Sequence, residues 1–316
     1  MIKSVICDIL GIRYPVFQGG MAWIADSALA AAVSEAGGLG LISAVNYGRE
    51  AVREEIRKAR ALTDKPFGVN IMLAAPDAAE IASLVVEEGV KIVTTGAGSP
   101  ARFMDMWKEA GIKVIPVVPS VAYALKMQDL GATAIVAEGA ESGGHIGETH
   151  TMALIPQIVD AVDIPVIAAG GIFDGRGAAA AFMLGACGVQ LGTRFLMARE
   201  CRIHPVYKER LIKASDIGTM VTGRSLQDAV RGLKTPFSKE FARMEADPSV
   251  SPDEIRAFGT GSLRKAVFDG DLARGSFLAG EVAGMCREEE CARDIVLDVI
   301  EGAEKIMKEK SSIYGC

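Results

Sequence analysis

The chain has 316 residues, of which 50% are hydrophobic, and a formal net charge of −6. The acidic balance argues against nucleic acid or an anionic membrane as the main partner, because both of them attract basic surfaces. Residues Met1 to Asp8 lack the features of a signal peptide and no run reaches the roughly 18 apolar residues of a membrane span, so we expect a soluble, cytoplasmic protein.

Short apolar runs alternate with amphipathic helical stretches from Tyr14 to Leu196, which is the pattern of parallel βα units. Eight strands are predicted, near Pro15–Gln18, Gly40–Ser43, Phe67–Ile71, Ile92–Thr95, Val114–Val118, Ala134–Glu138, Val166–Ala169 and Val189–Leu191. Seven helices are predicted between them, near Ser27–Ala36, Gly48–Leu62, Asp77–Glu88, Pro100–Ala110, Val121–Leu130, Thr151–Ala161 and Gly175–Leu184. Eight βα alternations favour an α/β fold of the closed (β/α)₈ TIM-barrel type over an open, doubly wound sheet.

Residues 201–274 are more polar, and prolines interrupt their shorter helical stretches. We interpret this segment as a small additional lid or substrate domain, with residues 1–200 and 275–316 forming the barrel. Between Arg202 and Glu245 nine basic residues stand against five acidic ones, an excess of four positive charges in an acidic chain. This excess indicates either an ordinary solvated face or a docking surface for an acidic partner.

The loops that follow the strands are expected to form the active site, as they do in other barrels of this kind. Gly19 and Gly20 follow the first strand and allow a flat ligand to approach the backbone. Asn70 ends the third strand, either as a ligand contact or as a loop cap. The last two strands lead into Gly170–Gly171 and Gly192–Thr193, the positions of the barrel phosphate site, so a phosphorylated ligand is predicted.

Two of the three histidines follow the sixth strand. His145 lies in a glycine-rich run with no apolar periodicity, and imidazole titrates near neutral pH, so we predict that it is the working acid or base. His150 is a weaker candidate, and His204 precedes a proline in a predicted turn. Nearby, Glu138 could hold a cofactor hydroxyl, whereas Glu141 is either functional or simply solvated.

The six cysteines show no Cys-x-x-Cys pair and no histidine at metal-ligand spacing, so we expect free thiols and no metal site. Cys187 precedes a strand instead of following one, and it is interpreted as core filler and not as a nucleophile.

Several motifs resemble the nitronate monooxygenase superfamily in their order and spacing. They are Gln-Gly-Gly-Met21, Ala-Gly-Gly-Leu-Gly40, Pro-Phe-Gly-Val-Asn-Ile71, Glu-Ser-Gly-Gly-His-Ile-Gly147, Ala-Ala-Gly-Gly-Ile172 and Gln-Leu-Gly-Thr-Arg-Phe195. Three further motifs resemble its type II branch, the FMN-dependent enoyl-[acyl-carrier-protein] reductases. These are Val-Thr-Thr-Gly-Ala-Gly98, Ile-Pro-Val-Val-Pro-Ser120 and Ala-Glu-Gly-Ala-Glu-Ser142. The resemblance covers essentially the whole chain.

The resemblance implies FMN at the barrel mouth, NADH or NADPH as reductant, an acyl carrier protein bearing an enoyl thioester as partner, and a homodimer. It also implies His145 as the catalytic residue. The implied FMN contacts are Gly20, Met21, Ala22, Ser43, Asn70, Glu138, Gly143, Gly144, Ala169, Gly170, Gly171, Gln190, Gly192 and Thr193. The chain departs from the branch at Glu281, where a glutamine is expected, and this puts any contact of that glutamine in question.

The activity implied by the branch is reduction of a trans-2-enoyl thioester in fatty acid biosynthesis, with hydride passing from NAD(P)H to FMN and then to the β-carbon. His145 would act as proton donor, as hydrogen-bond electrophile, or as both. The main alternative is nitronate monooxygenase, in which the same histidine would take a proton from a carbon beside a nitro group. A non-catalytic flavin or phosphate binder is a further alternative. An inosine-phosphate dehydrogenase type of barrel would need a nucleophilic cysteine on a C-terminal loop, and Cys201 lies several residues beyond the eighth strand.

Overall fold

The computed structural model describes residues 2–45 and 48–313, with side chains up to residue 309. The strands in this part of the chain are β1 (Val16–Gln18), β2 (Gly40–Ser43), β3 (Phe67–Met72), β4 (Ile92–Gly96), β5 (Lys113–Val118), β6 (Ile135–Glu138), β7 (Gly144–His145), β8 (Val166–Ala169), β9 (Gly188–Leu191), β10 (Thr219–Thr222) and β11 (Val230–Leu233). All eight predicted strands are confirmed, each to within one residue at either end. The three additional strands, β7, β10 and β11, were not predicted.

Eight of the strands form one parallel sheet in the order β1-β9-β8-β6-β5-β4-β3-β2. Its two ends meet, because the Leu39 N–H donates to the Val16 carbonyl and the Gln18 N–H donates to the Leu39 carbonyl, both at 2.9 Å. The sheet is thereby closed, and the predicted (β/α)₈ TIM barrel is confirmed.

The helices surround the barrel and extend beyond it. They are α1 (Val5–Leu10), α2 (Ser27–Glu35), α3 (Arg49–Leu62), α4 (Ala78–Glu87), α5 (Met104–Glu109), α6 (Val121–Asp129), α7 (Thr151–Val159), α8 (Gly175–Met183), α9 (Thr193–Leu196), α10 (Pro205–Ile212), α11 (Pro236–Ala246), α12 (Pro252–Gly259), α13 (Ser262–Arg264) and α14 (Ala292–Ile313). The seven helices predicted between strands are α2 to α8. Of these, α5 is preceded by a 3₁₀ turn at Ala101–Phe103. None of the described helices has the length and hydrophobicity that a membrane crossing requires.

The barrel interior is filled by apolar side chains that alternate with outward-facing ones along the strands. The interior cluster includes Phe17, Leu41, Ile92, Ile115, Val136 and Ile167, all nearly inaccessible to solvent. The same cluster contains Ile6 and Leu10 of α1, which was not predicted. The interior is therefore a packed core, and polar chemistry is confined to the strand ends.

The three unpredicted strands form a second, antiparallel sheet in the order β10-β11-β7. In this sheet Val230 pairs with His145 and Arg231 pairs with Gly144. A small hydrophobic cluster of Phe237, Phe241 and Ile255 lies in the same part of the chain. We keep 201–274 as the proposed lid segment, but its sheet takes one strand from the loop that follows β6.

Candidate active site

A polar layer follows the apolar interior at the carboxyl ends of the barrel strands. In the sheet register Ser43 pairs with Asn70, which pairs with Thr94. On the other side Glu138 pairs with Ala169, which pairs with Gln190. Each of these residues lies two positions, or one repeat of the strand, beyond an inward-facing residue. The structure thus brings together five predicted site residues: Ser43, Asn70, Glu138, Ala169 and Gln190.

Asn70 is fixed in orientation by its neighbour Thr94. The Thr94 hydroxyl donates to Asn70 Oδ1 at 2.8 Å, so the amide nitrogen points away from this bond. A Cβ built on Gly20 would overlap Cβ and Cγ of Asn70. The backbone at Gly20 and the Asn70 side chain therefore lie in close contact. Among the described residues, Asn70 makes no loop-capping bond, the alternative that the sequence left open.

Two buried polar atoms of this layer have no hydrogen-bond partner among the residues that the structure describes. They are Ser43 Oγ and Gln190 Oε1. An unsatisfied buried polar group costs about 1–3 kcal/mol, so such atoms at a strand end indicate a polar ligand that completes their bonding. This pair, together with the close backbone approach at Gly20, fits a flat ring with heteroatoms on its edge, as FMN has.

Glu138 ends β6 and is half-buried at the barrel mouth. Burial raises the pKa of its carboxyl group to about 7, and the nearby Ser142 side chain partly opposes this shift. Near neutral pH the carboxyl group can therefore be present in both forms. It can accept a hydrogen bond from a ligand hydroxyl or donate one to an acceptor.

The two glycine loops predicted to hold a phosphate lie beside a segment from the C-terminal part of the chain. Gly170 and Gly171 both have positive φ values, 93° and 71°, which favour glycine. The Gly280 N–H donates to Thr193 Oγ1 at 2.8 Å, and this segment also packs against Gly143. The loops after β6 and β9 thus meet residues that the strand pattern alone did not bring there.

Glu141 caps the beginning of α7 and is not a freely solvated side chain. Its carboxylate accepts hydrogen bonds from the Thr151 N–H and the Thr151 hydroxyl, each at 2.9 Å. The Thr151 hydroxyl also lies 2.9 Å from the Gly170 carbonyl. Glu141 is therefore linked to the loop after β8 through Thr151. Its carboxylate also occupies the N-terminus of α7, where an anion could otherwise bind.

His145 lies on β7, in the loop that follows β6. Its Nε2 is 3.0 Å from Oδ1 of Asp228, and its side chain is 60% exposed. His150 is exposed and its side chain makes no capping bond to α7. His204 accepts a hydrogen bond from the Val206 N–H through Nδ1 at 3.2 Å, as expected of a turn residue before a proline. Of the three histidines, His145 is the one that lies on a strand of the second sheet and contacts a carboxylate.

Arg231 joins the second sheet to the loop after β6, and sequence reasoning did not single it out as a site residue. Its Nε donates to the Ala140 carbonyl at 3.2 Å, and its Nη2 lies 3.0 Å from Oε1 of Glu281. Only 11% of the arginine side chain is exposed. Glu281, the departure from the expected glutamine, is therefore the partner of an arginine in this structure.

The positive excess between Arg202 and Glu245 is neutralised by acids elsewhere in the chain. Four of its basic residues pair with acids outside the segment, at 2.6–3.8 Å. The pairs are Arg202 with Asp26, Lys208 with Glu289, Arg224 with Glu148, and Arg231 with Glu281. The segment is thus not a strongly basic surface, and the argument that it attracts an acidic partner loses its basis.

Burial raises the pKa of the Cys187 thiol to about 11 and that of the Cys201 thiol to about 12. Both thiols are therefore poor nucleophiles near neutral pH. This agrees with the interpretation of Cys187 as core filler.

Comparisons with known proteins agree with this architecture. A family model described as nitronate monooxygenase matches residues 3–302. The structure of FabK from Thermotoga maritima is 45% identical, with a TM-score of 0.96, and covers 99% of this chain and 100% of that one. A Rhodococcus jostii protein named (3aS,4S,5R,7aS)-5-hydroxy-7a-methyl-1-oxo-octahydro-1H-indene-4-carboxyl-CoA dehydrogenase is 40% identical over 96% of each chain. Its namesake in Mycobacterium tuberculosis is 41% identical over 71% of this chain and 64% of that relative.

Proposed function

The chain belongs to the nitronate monooxygenase family, and on that premise we propose that it is an FMN-dependent enoyl-[acyl-carrier-protein] reductase. The observation that carries this proposal is the polar layer at the barrel mouth, with unpartnered atoms of Ser43 and Gln190 in the same sheet as β6, the strand that leads into the loop that bears His145. The similarity to FabK over the whole chain supports the same branch as the sequence motifs do.

The polar layer and the glycine loops would hold FMN. The residues proposed around the ring are Gly20, Met21, Ala22, Ser43, Asn70, Glu138, Ala169 and Gln190, with Gly143 and Gly144 at its edge. Gly170, Gly171, Gly192 and Thr193 would hold the phosphate through backbone N–H groups and the threonine hydroxyl. When bound, FMN supplies the hydride transfer from NADH or NADPH to the β-carbon of the enoyl thioester.

His145 would act on the oxygen and the α-carbon of the thioester. As electrons reach the β-carbon, negative charge develops on the thioester carbonyl oxygen, and a hydrogen bond from the imidazole stabilises that charge. The protonated ring can also deliver the proton that the α-carbon requires. The exposure of the His145 side chain leaves it open to a substrate that enters from solvent.

The carrier of the thioester is proposed to be an acyl carrier protein, on the similarity to FabK. The two relatives whose names include a CoA ester point to the other common thioester carrier. Because the segment between Arg202 and Glu245 is neutralised within the chain, we expect little electrostatic preference for the acidic protein carrier. The homodimer and the choice between NADH and NADPH stay predictions.

Nitronate monooxygenase is the second candidate, favoured by the description of the matching family model. In that reaction His145 would accept a proton from the carbon beside the nitro group instead of donating one. The same site geometry is compatible with both directions of proton transfer. The two reactions are therefore distinguished by testing which substrate the enzyme uses.

The test is a set of visible spectra of the purified protein without oxygen. We expect a flavin spectrum that NADH or NADPH bleaches, and that crotonyl-[acyl-carrier-protein] or crotonyl-CoA restores while an alkyl nitronate does not. Bleaching by the nitronate, without restoration by either thioester, would favour the second candidate. A protein that takes up no FMN would contradict both. The ratio of kcat/KM for the two thioesters measures the carrier preference.

A further inference from the structure

A carboxylate of the second sheet faces the proposed catalytic histidine. Asp228 lies two residues before Val230, the cross-strand partner of His145. The Ile146 N–H donates to the Ala229 carbonyl at 3.0 Å, which continues the pairing on the far side of the histidine. The strand register thereby brings Asp228 Oδ1 to 3.0 Å from His145 Nε2.

The turn that carries Asp228 is held by bonds that do not involve His145. The Asp228 N–H donates to the Gly223 carbonyl at 3.0 Å. The carboxylate of Glu245, on α11, accepts from the Gly223 N–H at 2.9 Å and from the Ser225 N–H at 3.1 Å. Gln227 takes a left-handed conformation, with φ 57°, to complete the turn. This loop is therefore built independently of the contact that it makes.

The Asp228–His145 contact contributes little to folding. The two side chains are 63% and 60% exposed, and solvent screening leaves such exposed ion pairs with little effect on stability. The turn has its own hydrogen bonds and still places a carboxylate against the imidazole. We therefore infer that the contact serves to orient the imidazole.

The other acids near this loop are occupied. Glu141 binds the N-terminus of α7. Glu148 pairs with Arg224 at 3.3 Å, and Glu281 pairs with Arg231 at 3.0 Å. Within the described part of the chain, Asp228 is the carboxylate that forms an ion-pair contact with His145.

We propose that Asp228 is a positioning residue for His145. Its carboxylate accepts a hydrogen bond from Nε2–H, which fixes the plane and the tautomer of the ring and leaves Nδ1 as the nitrogen available to the substrate. In the protonated ring, Nδ1 then carries the proton to be donated. This inference rests on the proposed function of His145.

The kinetic test uses Asp228→Asn, Asp228→Glu and, as a matched control, Asp253→Asn in the flavin-loaded enzyme. Asp253 is a lid carboxylate that is 94% exposed and pairs with Arg256. We expect Asp228→Asn to lower kcat for crotonyl thioester about tenfold with KM and flavin bleaching by NAD(P)H unchanged. Asp228→Glu should restore part of the loss, and the control should keep the original kcat. In a His145→Ala background, Asp228→Asn should have no further effect.

A second measurement needs no substrate. In protein labelled with ¹⁵N at its three histidines, the His145 signals are assigned by their loss in His145→Gln. The Nε2 resonance should move in Asp228→Asn and stay in Asp253→Asn. An unmoved resonance together with an unchanged kcat would overturn the positioning role. Failure of the wild-type enzyme to reduce any enoyl thioester would instead overturn the proposed function, while the resonance still decides whether the hydrogen bond exists.

Discussion

The barrel and the second sheet are stabilised in different ways. The barrel interior consists of apolar side chains with almost no exposure, on eight parallel strands that close on themselves. Strands β10 and β11 are mostly half-buried, and polar contacts such as that of Arg231 with the Ala140 carbonyl link them to the rest of the molecule. The rigid part therefore carries the proposed cofactor contacts, and the more exposed part carries the proposed acid/base residue.

The largest expected effect separates these two tasks. His145→Ala removes the proposed proton donor on the second sheet but leaves the polar layer of the barrel intact. Enoyl reduction should fall by about 10²–10⁴-fold, the usual contribution of a positioned acid or base. FMN content and bleaching by NAD(P)H should stay unchanged, and stopped-flow spectra measure both half-reactions in one experiment.

His150→Ala is the matched control for this substitution, because His150 is an exposed histidine of the same loop whose side chain does not cap α7. It should retain wild-type turnover. Loss of FMN from His145→Ala would contradict the division of tasks between the two regions. Full turnover in that variant would remove His145 from the mechanism.

The same division explains how much the sequence could predict. Strand positions in the barrel follow from apolar runs, and the strand-end residues Asn70 and Glu138 follow from the barrel rule. Ser43 and Gln190 were expected from the family resemblance alone. The second sheet was not predicted because β7 has two residues, and because the mostly half-buried β10 and β11 lack the continuous apolar run of the equally short barrel strands. The pairing of Asp228 with His145, 83 positions apart in the chain, depends on that sheet.

A test of the barrel side uses the buried carboxyl group of Glu138. Its pKa of about 7 lies above the ordinary value of 4.5, so the folded protein holds this proton more tightly than the unfolded chain does. The stabilisation is fully present below the unfolded pKa and is lost as the pH rises through the folded pKa. From about pH 5 to about pH 8 the wild type should lose up to about 3 kcal/mol of unfolding free energy that Glu138→Gln retains.

Urea unfolding of the two proteins, without added FMN, measures this difference at each pH. Glu141→Gln is not a suitable control, since Glu141 caps α7, but Glu109→Gln changes an exposed carboxylate at the end of α5. Parallel pH curves for wild type and Glu138→Gln would mean that the carboxyl group is less desolvated at the mouth than its burial indicates.

A smaller effect is expected at the loop after β1. In Gly20→Ala the new methyl group would overlap the Asn70 side chain and displace it from Thr94. Overpacking costs roughly 1–3 kcal/mol, so FMN affinity should fall about ten- to a hundredfold. The control is Gly96→Ala, where no described atom lies within 4 Å of the added Cβ. Flavin fluorescence titration measures both, and equal affinities would place the ring away from Gly20.

The smallest expected effect returns to the second sheet. Glu281→Gln restores the residue expected from the branch, removes one charge of the pair with Arg231 and leaves the bonds of Arg231 to the Ala140 carbonyl and Thr219 Oγ1. Because Glu281 is 43% exposed, the loss should be at most about 1 kcal/mol. Amide exchange in β7 and β11 should then accelerate up to about fivefold, with FMN affinity unchanged.

The control is Glu148→Gln, which removes a more exposed pair with Arg224 and should leave the exchange rates unchanged. A fall in FMN affinity on Glu281→Gln would instead make Glu281 part of the cofactor site. The cofactor contacts would then not be confined to the barrel.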